Sequence, residues 1–128
     1  MRFVGIGFRA AADLGSLQDA LQKVLLVAGP DRIDALVTES AKAREKVFRD
    51  LAQTLGIPGL GITVADLEQM ITPTQSQRIM DRFGTGSLAE AAALAAAGPG
   101  ARLVAERVVS GDGMATAAIA ESGRKTDP

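Results

Sequence analysis

Cysteine, histidine, tryptophan and tyrosine are all missing from this chain, and phenylalanine, its one aromatic, occurs four times. Without cysteine there is no disulfide, no thiolate nucleophile and no zinc ribbon. Without histidine the commonest general base and the commonest metal ligand are gone, so neither a metal site nor a cofactor is expected. Four phenylalanines are a poor platform for stacking the bases of a single strand. Charge of neither sign dominates: 14 Lys and Arg stand against 15 Asp and Glu, interspersed, for a net charge of −1. Such a balance attracts neither nucleic acid nor a membrane surface by field alone. No apolar run reaches the roughly 20 residues of a membrane span. Met1-Arg2-Phe3-Val4-Gly5 shows no signal-peptide h-region or cleavage site, and the expectation is a soluble, cytoplasmic protein whose 128 residues suit one domain.

What the chain does have is centred on Gly84–Gly98, G-T-G-S-L-A-E-A-A-A-L-A-A-A-G. Ser87 and Glu90 have the spacing of a capping box, the residues behind them are strong helix formers, and Gly98 supplies a stop. With no charge between Glu90 and Arg102, this helix is expected to be covered on most sides. Its amino end, preceded by Gly84-Thr85-Gly86, offers free N–H groups and a positive dipole end to an anion.

Upstream, Phe3–Phe8 reads as a buried, central strand. Gly5, Gly7 and Ala10 match G-x-G-x-x-A of the dinucleotide fingerprint, but the next helix is expected only at Ser16, with Ser16 and Asp19 as a second capping box. A strand glycine more often marks close approach of another backbone or a ligand. Leu17, Leu21, Val24, Leu25 and Ala28 form one helix face, stopped by Gly29-Pro30. Ile33–Val37 reads as the second strand, followed by the polar loop Thr38–Lys42 and a helix with Val47, Leu51, Ala52 and Leu55 inside. Ile57–Ile62, with Pro58, Gly59 and Gly61, suits a weak or edge strand. Thr63 with Asp66 caps a short helix ending near Met70, and a further helix spans about Gln75 to Phe83, with Pro73 in its entry turn. Ala101–Val109 and Met114–Ala120, joined by Ser110-Gly111-Asp112-Gly113, form a hairpin. The order β-α-β-α-β-α-α-α-β-β implies a single three-layer α/β domain over 1–120, with a mostly parallel sheet ending in an antiparallel hairpin, and a flexible tail over 121–128.

Ligands of open α/β sheets bind outside the carboxyl ends of the strands. There the sequence places Gly5, Gly7, Arg9, Thr38, Lys42, Gly84, Thr85 and Ser87, a set of donors and charge among glycine-rich walls. This set suits an anion, and a ligand carrying several carboxylates more than a phosphodiester chain. Glu39, Glu45 and Glu90 are the acids near strand ends or helix starts, though spacing alone does not bring them together. Lys42 could act as a base if buried. The weak catalytic candidates are therefore Lys42, Glu45 and Glu90.

Four blocks resemble the cobalamin-biosynthesis family of CobE and the CbiG carboxy-terminal domain across nearly the whole chain. They are V-G-I-G-F-R at Val4–Arg9, the K-x-x-E pair of Lys42 and Glu45, G-T-x-S-L-A-E-A-A-A-L at Gly84–Leu94, and L-V-x-x-R…S-G-D-G-M-A-T-A-A-I-A at Leu103–Ala120. The family often has cysteine where this chain has Phe8. The resemblance implies a role in building the corrin ring of vitamin B12, with a precorrin or corrinoid intermediate, a polycarboxylate tetrapyrrole, as partner, alongside other enzymes of the pathway. CbiG-type proteins open a lactone on a cobalt-precorrin, which makes a precorrin hydrolase or isomerase the alternative to a carrier or helper. A protein-interaction module without ligand is the third reading.

Overall fold

The strand Arg2–Phe8 (β1) is the axis around which the rest is laid down. The computed structural model describes residues 1–123. After β1 come α1 (Leu14–Ala28), β2 (Ala35–Glu39), a 3-10 turn (Lys42–Arg44) and α2 (Lys46–Leu55). There follow β3 (Gly59–Ile62), α3 (Val64–Glu68), α4 (Gln77–Phe83), α5 (Leu88–Ala97), β4 (Arg102–Val109) and β5 (Ala115–Glu121). The five strands form one sheet in the order β3-β2-β1-β5-β4. β1, β2 and β3 run parallel, and the hairpin β4–β5 joins antiparallel, with β5 paired to β1 from Arg2↔Glu121 to Phe8↔Ala115. β3, with its two glycines, is indeed an edge strand.

Alternation along β1 sorts the core into two layers. Val4, Ile6 and Phe8 face α1 and α2, where they meet Leu17, Leu21, Val24, Phe48 and Leu51. Phe3 faces the other way with Ala35 and Val37, against Leu67, Phe83 and the alanines of α5. The pattern is a helix–sheet–helix sandwich. Gly5 and Gly7 share the face of Phe3, beneath α5. A Cβ on Gly5 would collide with the carbonyl oxygen of Ala89 and come 2.9 Å from the Ala93 nitrogen. Glycine in the strand and alanine in the helix thus let two backbones approach, and Ala89, Ala91, Ala92 and Ala93 are fully buried there. The dinucleotide fingerprint does not form, because Gly5 and Gly7 both lie inside the strand and the next helix starts only at Leu14.

Local expectations are corrected at several points. The first helix is capped by Asp13, not Ser16: Asp13 accepts the Ser16 N–H at 2.9 Å, and Ser16, at N3, takes the Asp13 N–H at 3.3 Å. Asp19 is drawn off to a tertiary contact, accepting the Gly111 N–H at 2.6 Å. The second strand begins two residues later than its apolar run suggests, so Thr38 and Glu39 are strand, not loop. Ser76 caps α4, accepting from Ile79 N, whereas Thr63 and Ser87 cap α3 and α5 as expected. At the carboxyl end, Glu121 still belongs to β5 and the Ser122 N–H donates to the Met1 carbonyl at 2.8 Å. Residues 124–128 of the expected tail lie outside the described residues. No helix among the described residues is long and apolar enough to cross a membrane.

Candidate functional site

Beyond the carboxyl end of β1, the sheet opens into a cleft. Five cations line it: Arg9 after β1, Lys42 in the 3-10 turn, Arg78 and Arg82 on α4, and Arg107 on β4. None of the five is ion-paired with a described residue, and no acid is among the lining residues. Ile79, Leu88 and Met114 add apolar wall, and Gly7 and Thr116 complete the β1–β5 side.

Four of the five are held there by a local cause. Arg78 and Arg82 are one helical turn apart, so α4 presents both on the same side. Lys42 stands three residues after Glu39, whose carboxylate accepts the Ala41 and Lys42 N–H groups at 2.8 and 3.2 Å and shapes the turn. The Lys42 ammonium donates to the Phe8 carbonyl at 2.6 Å and lies 4.6 Å from the Phe8 ring centre. Its pKa is lowered by partial burial first and then by the Arg82 charge, with Arg78 adding to the effect and Glu39 and Glu45 opposing it. Arg107 sits in a bulge: Glu106 and Arg107 stand opposite Ala118 alone, between the pairs Ala105↔Ile119 and Val108↔Ala117. A bulge frees a ladder N–H and re-aims the side chain. Here the freed Arg107 N–H donates to Glu90 at 2.9 Å.

Glu90 is the hidden support of this arrangement. Its carboxylate is fully buried. It accepts from Thr74 N and Thr74 Oγ1, both at 2.9 Å, as well as from Arg107 N. One carboxylate thus ties together the start of α5, the segment leading into α4, and the bulge in β4. It does not reach back to the Ser87 N–H, so the capping box at α5 is half-formed: Ser87 Oγ accepts from Glu90 N at 3.2 Å and the glutamate is spent elsewhere.

The hairpin turn is fastened from the other side. Asp112 accepts from Ser16 Oγ at 2.5 Å, Ser110 Oγ at 2.6 Å and Met114 N at 3.0 Å. These hydrogen bonds, those from Ser110 and Ser16 foremost, pull its pKa down to about 2. Gly113 and Met114, next to this anchor, form a wall of the cleft.

Of the residues singled out in the sequence, the structure brings Gly7, Arg9 and Lys42 to the cleft. Gly5 lies under α5 as a packing contact. Thr38 and Thr85 are buried, and neither hydroxyl has a partner among the described residues. Gly84 ends α4 at φ 70°, a left-handed conformation that favours glycine. Ser87 is buried as the α5 cap, and Glu45 is exposed at the start of α2. Arg78, Arg82 and Arg107 were invisible as a group, because they come from two elements that only the fold brings together. The i,i+4 spacing of Arg78 and Arg82 on one helix was the one available signal, and Asp81, three residues after Arg78, is taken up by Gln77 instead. No group of three acids able to hold a metal occurs among the described residues.

Comparison with known proteins agrees with this fold. The family model "Cobalamin synthesis G C-terminus" matches residues 2–120. The crystal structure of CobE, a protein from the cobalamin (vitamin B12) biosynthetic pathway, superposes with a TM-score of 0.84 at 29% identity, over 98% of this chain and 93% of that one. The cobalamin biosynthesis protein chiG from Agrobacterium tumefaciens str. C58 gives 0.74 at 35% identity, over 97% and 100% of the two chains. A cobalamin biosynthesis protein G homolog from Sulfolobus solfataricus gives 0.69 at 19% identity, a likeness of fold that covers 93% of this chain but 36% of that one. No curated protein sequence matches the chain. With the family model spanning nearly its whole length, the chain belongs to the family of the cobalamin synthesis G carboxy-terminal domain, and so to the proteins of cobalamin biosynthesis.

Proposed function

We propose that this chain binds a precorrin or corrinoid intermediate in the cleft beyond β1, as a carrier or helper of the corrin-ring pathway. The observation that carries the reading is the lining itself: five cations without an acid, set around Ile79, Leu88 and Met114. A tetrapyrrole of this pathway is an apolar macrocycle rimmed by acetate and propionate groups. Guanidinium groups pair with carboxylates through two parallel hydrogen bonds, which suits four arginines to such a rim. Membership in the cobalamin family supplies the pathway. The test is gel filtration of the protein with hydrogenobyrinic acid, followed by visible absorbance. Co-elution with a spectral shift is expected, and Arg78→Gln with Arg82→Gln should abolish it without unfolding the protein. Absence of co-elution for the intact protein would overturn the reading.

A second reading, an enzyme acting on the same ligand, is favoured by one observation. Lys42 lies in the cleft, half-buried, with a pKa lowered by that burial and by the Arg82 charge, which makes its amine easier to free as a base. That reading requires the bound precorrin to change in mass during incubation, and Lys42→Met to stop the change while leaving the ligand bound. An unchanged mass leaves the carrier.

A further inference from the structure

Every cation of the cleft is a hydrogen-bond donor and nothing else. A guanidinium offers five N–H groups and an ammonium three, and neither has an acceptor. No acid lines the cleft, and two acids close to it are already spent inside the protein: Glu39 on the Ala41 and Lys42 amides, Glu90 on Thr74 and Arg107. The lining side chains thus provide donors from five cations, with the Thr116 hydroxyl as the one neutral polar side chain among them. That hydroxyl is turned to the protein, 3.4 Å from the Gly7 carbonyl.

We propose that the cleft reads the ionised state of its ligand's carboxylates, and releases the same macrocycle once those carboxylates are converted to primary amides. The inference rests on the tetrapyrrole reading above and adds a selectivity to it. A carboxylate and a carboxamide have nearly the same shape, so the pocket's outline does not tell them apart. Chemistry does. Amidation removes the charge that offsets the mutual repulsion of Arg78, Arg82 and Lys42, and it turns one acceptor oxygen into an NH₂ that faces other donors. A site built to pair one partner rejects an analogue that leaves its polar groups unpaired. The acid-form macrocycle is held and the amidated form leaves.

The experiment compares two probes on the full chain by isothermal titration: hydrogenobyrinic acid, and the same compound with carboxylates converted to primary amides. The acid should bind, and the amide form should bind at least about tenfold more weakly, as expected for loss of charge-assisted pairs. Arg82→Gln should narrow the ratio, because it weakens the acid more than the amide. Equal affinities for the two forms would overturn the selectivity and leave the proposed function standing. Failure of both to bind would remove the proposed function, and this inference with it.

Discussion

Lys42 and Glu90 are both charged residues that the sequence singles out as catalytic candidates, yet the structure gives them opposite tasks. Lys42 is held in a cleft that disfavours its charge, by burial and by Arg82. Its folded pKa lies below the ordinary 10.5, so between the two values the unfolded chain binds the extra proton. Stability from this residue therefore rises with pH through that window, and the penalty is complete below the folded pKa. In Lys42→Met, unfolding free energy measured by urea titration should lose that rise. A bound polyanion acts in the other direction. It favours the ammonium and raises the pKa, so polycarboxylate affinity should fall as pH climbs through the free protein's lowered value, and binding there should take up a proton. A calorimetric enthalpy independent of buffer ionisation in that range would remove Lys42 from the contact. Glu90 acts by holding structure. Glu90→Ala leaves the Thr74 N–H, the Thr74 hydroxyl and the Arg107 N–H without their acceptor. Buried donors stripped of a partner cost about 1–3 kcal/mol each, and part is recovered by relaxation and water, so a loss of about 3 kcal/mol in a urea melt is expected. A melt indistinguishable from the parent would mean that the carboxylate does not brace the cleft.

At the scale of elements, the cleft is made by a hairpin fastened across the sheet to α1. Asp112 reaches Ser16 in the first turn of that helix, and Asp19 on the same helix accepts the Gly111 N–H. Both carboxyls are held below the ordinary carboxylate value, Asp19 chiefly by the Gly111 hydrogen bond and then by Lys23. A depressed acid pKa contributes stability above the unfolded value, and that stability is lost as pH falls through the folded one. For Asp112 the window runs from 3.8 down to about 2. Asp112→Asn should flatten part of the decline in melting temperature across that range, and should speed amide exchange at Met114. An unchanged acid profile would show that the turn is held by β5 alone. The elements themselves were largely legible in the sequence, because their signals are local: Thr63 and Ser87 as caps, Gly56 and Gly84 as stops, Asp112-Gly113 between two apolar runs. What stayed hidden depends on distant partners. Asp19 reads as a cap because nothing nearby says that Gly111 will claim it. The bulge at Arg107 follows from Glu90, 17 residues away. Gly5 reads equally as ligand contact or packing until α5 is laid over it. The candidate site was legible for Gly7, Arg9 and Lys42, which stand at the ends of local elements, and illegible for Arg78, Arg82 and Arg107.

Taken whole, the molecule carries a net charge of −1 while one cleft gathers five cations. The remainder of the chain is therefore net negative, and the cleft gathers unpaired positive charge at the end of the sheet where β1 stops. A cleft lined by one sign of charge concentrates field lines and speeds the arrival of an oppositely charged ligand by about ten- to a thousandfold. An overall field of the wrong sign gives little help at long range, so capture depends on the last few ångströms of approach. Such an effect is sensitive to screening. Raising salt from about 0.1 M to about 1 M shortens the Debye length from about 10 Å to about 3 Å. Stopped-flow association of hydrogenobyrinic acid should then slow by about tenfold or more, while dissociation, governed by paired guanidinium contacts and by apolar contact with Ile79, Leu88 and Met114, should change much less. Replacing Arg78 and Arg82 together by glutamine should lower the association rate and its salt dependence in parallel. Neither residue is part of the core, so the melting temperature should hold or rise as repulsion is relieved. If association is fast at every salt concentration and the double variant matches the parent, the ligand enters without the field, and the charge gathered at this end of the sheet serves another contact.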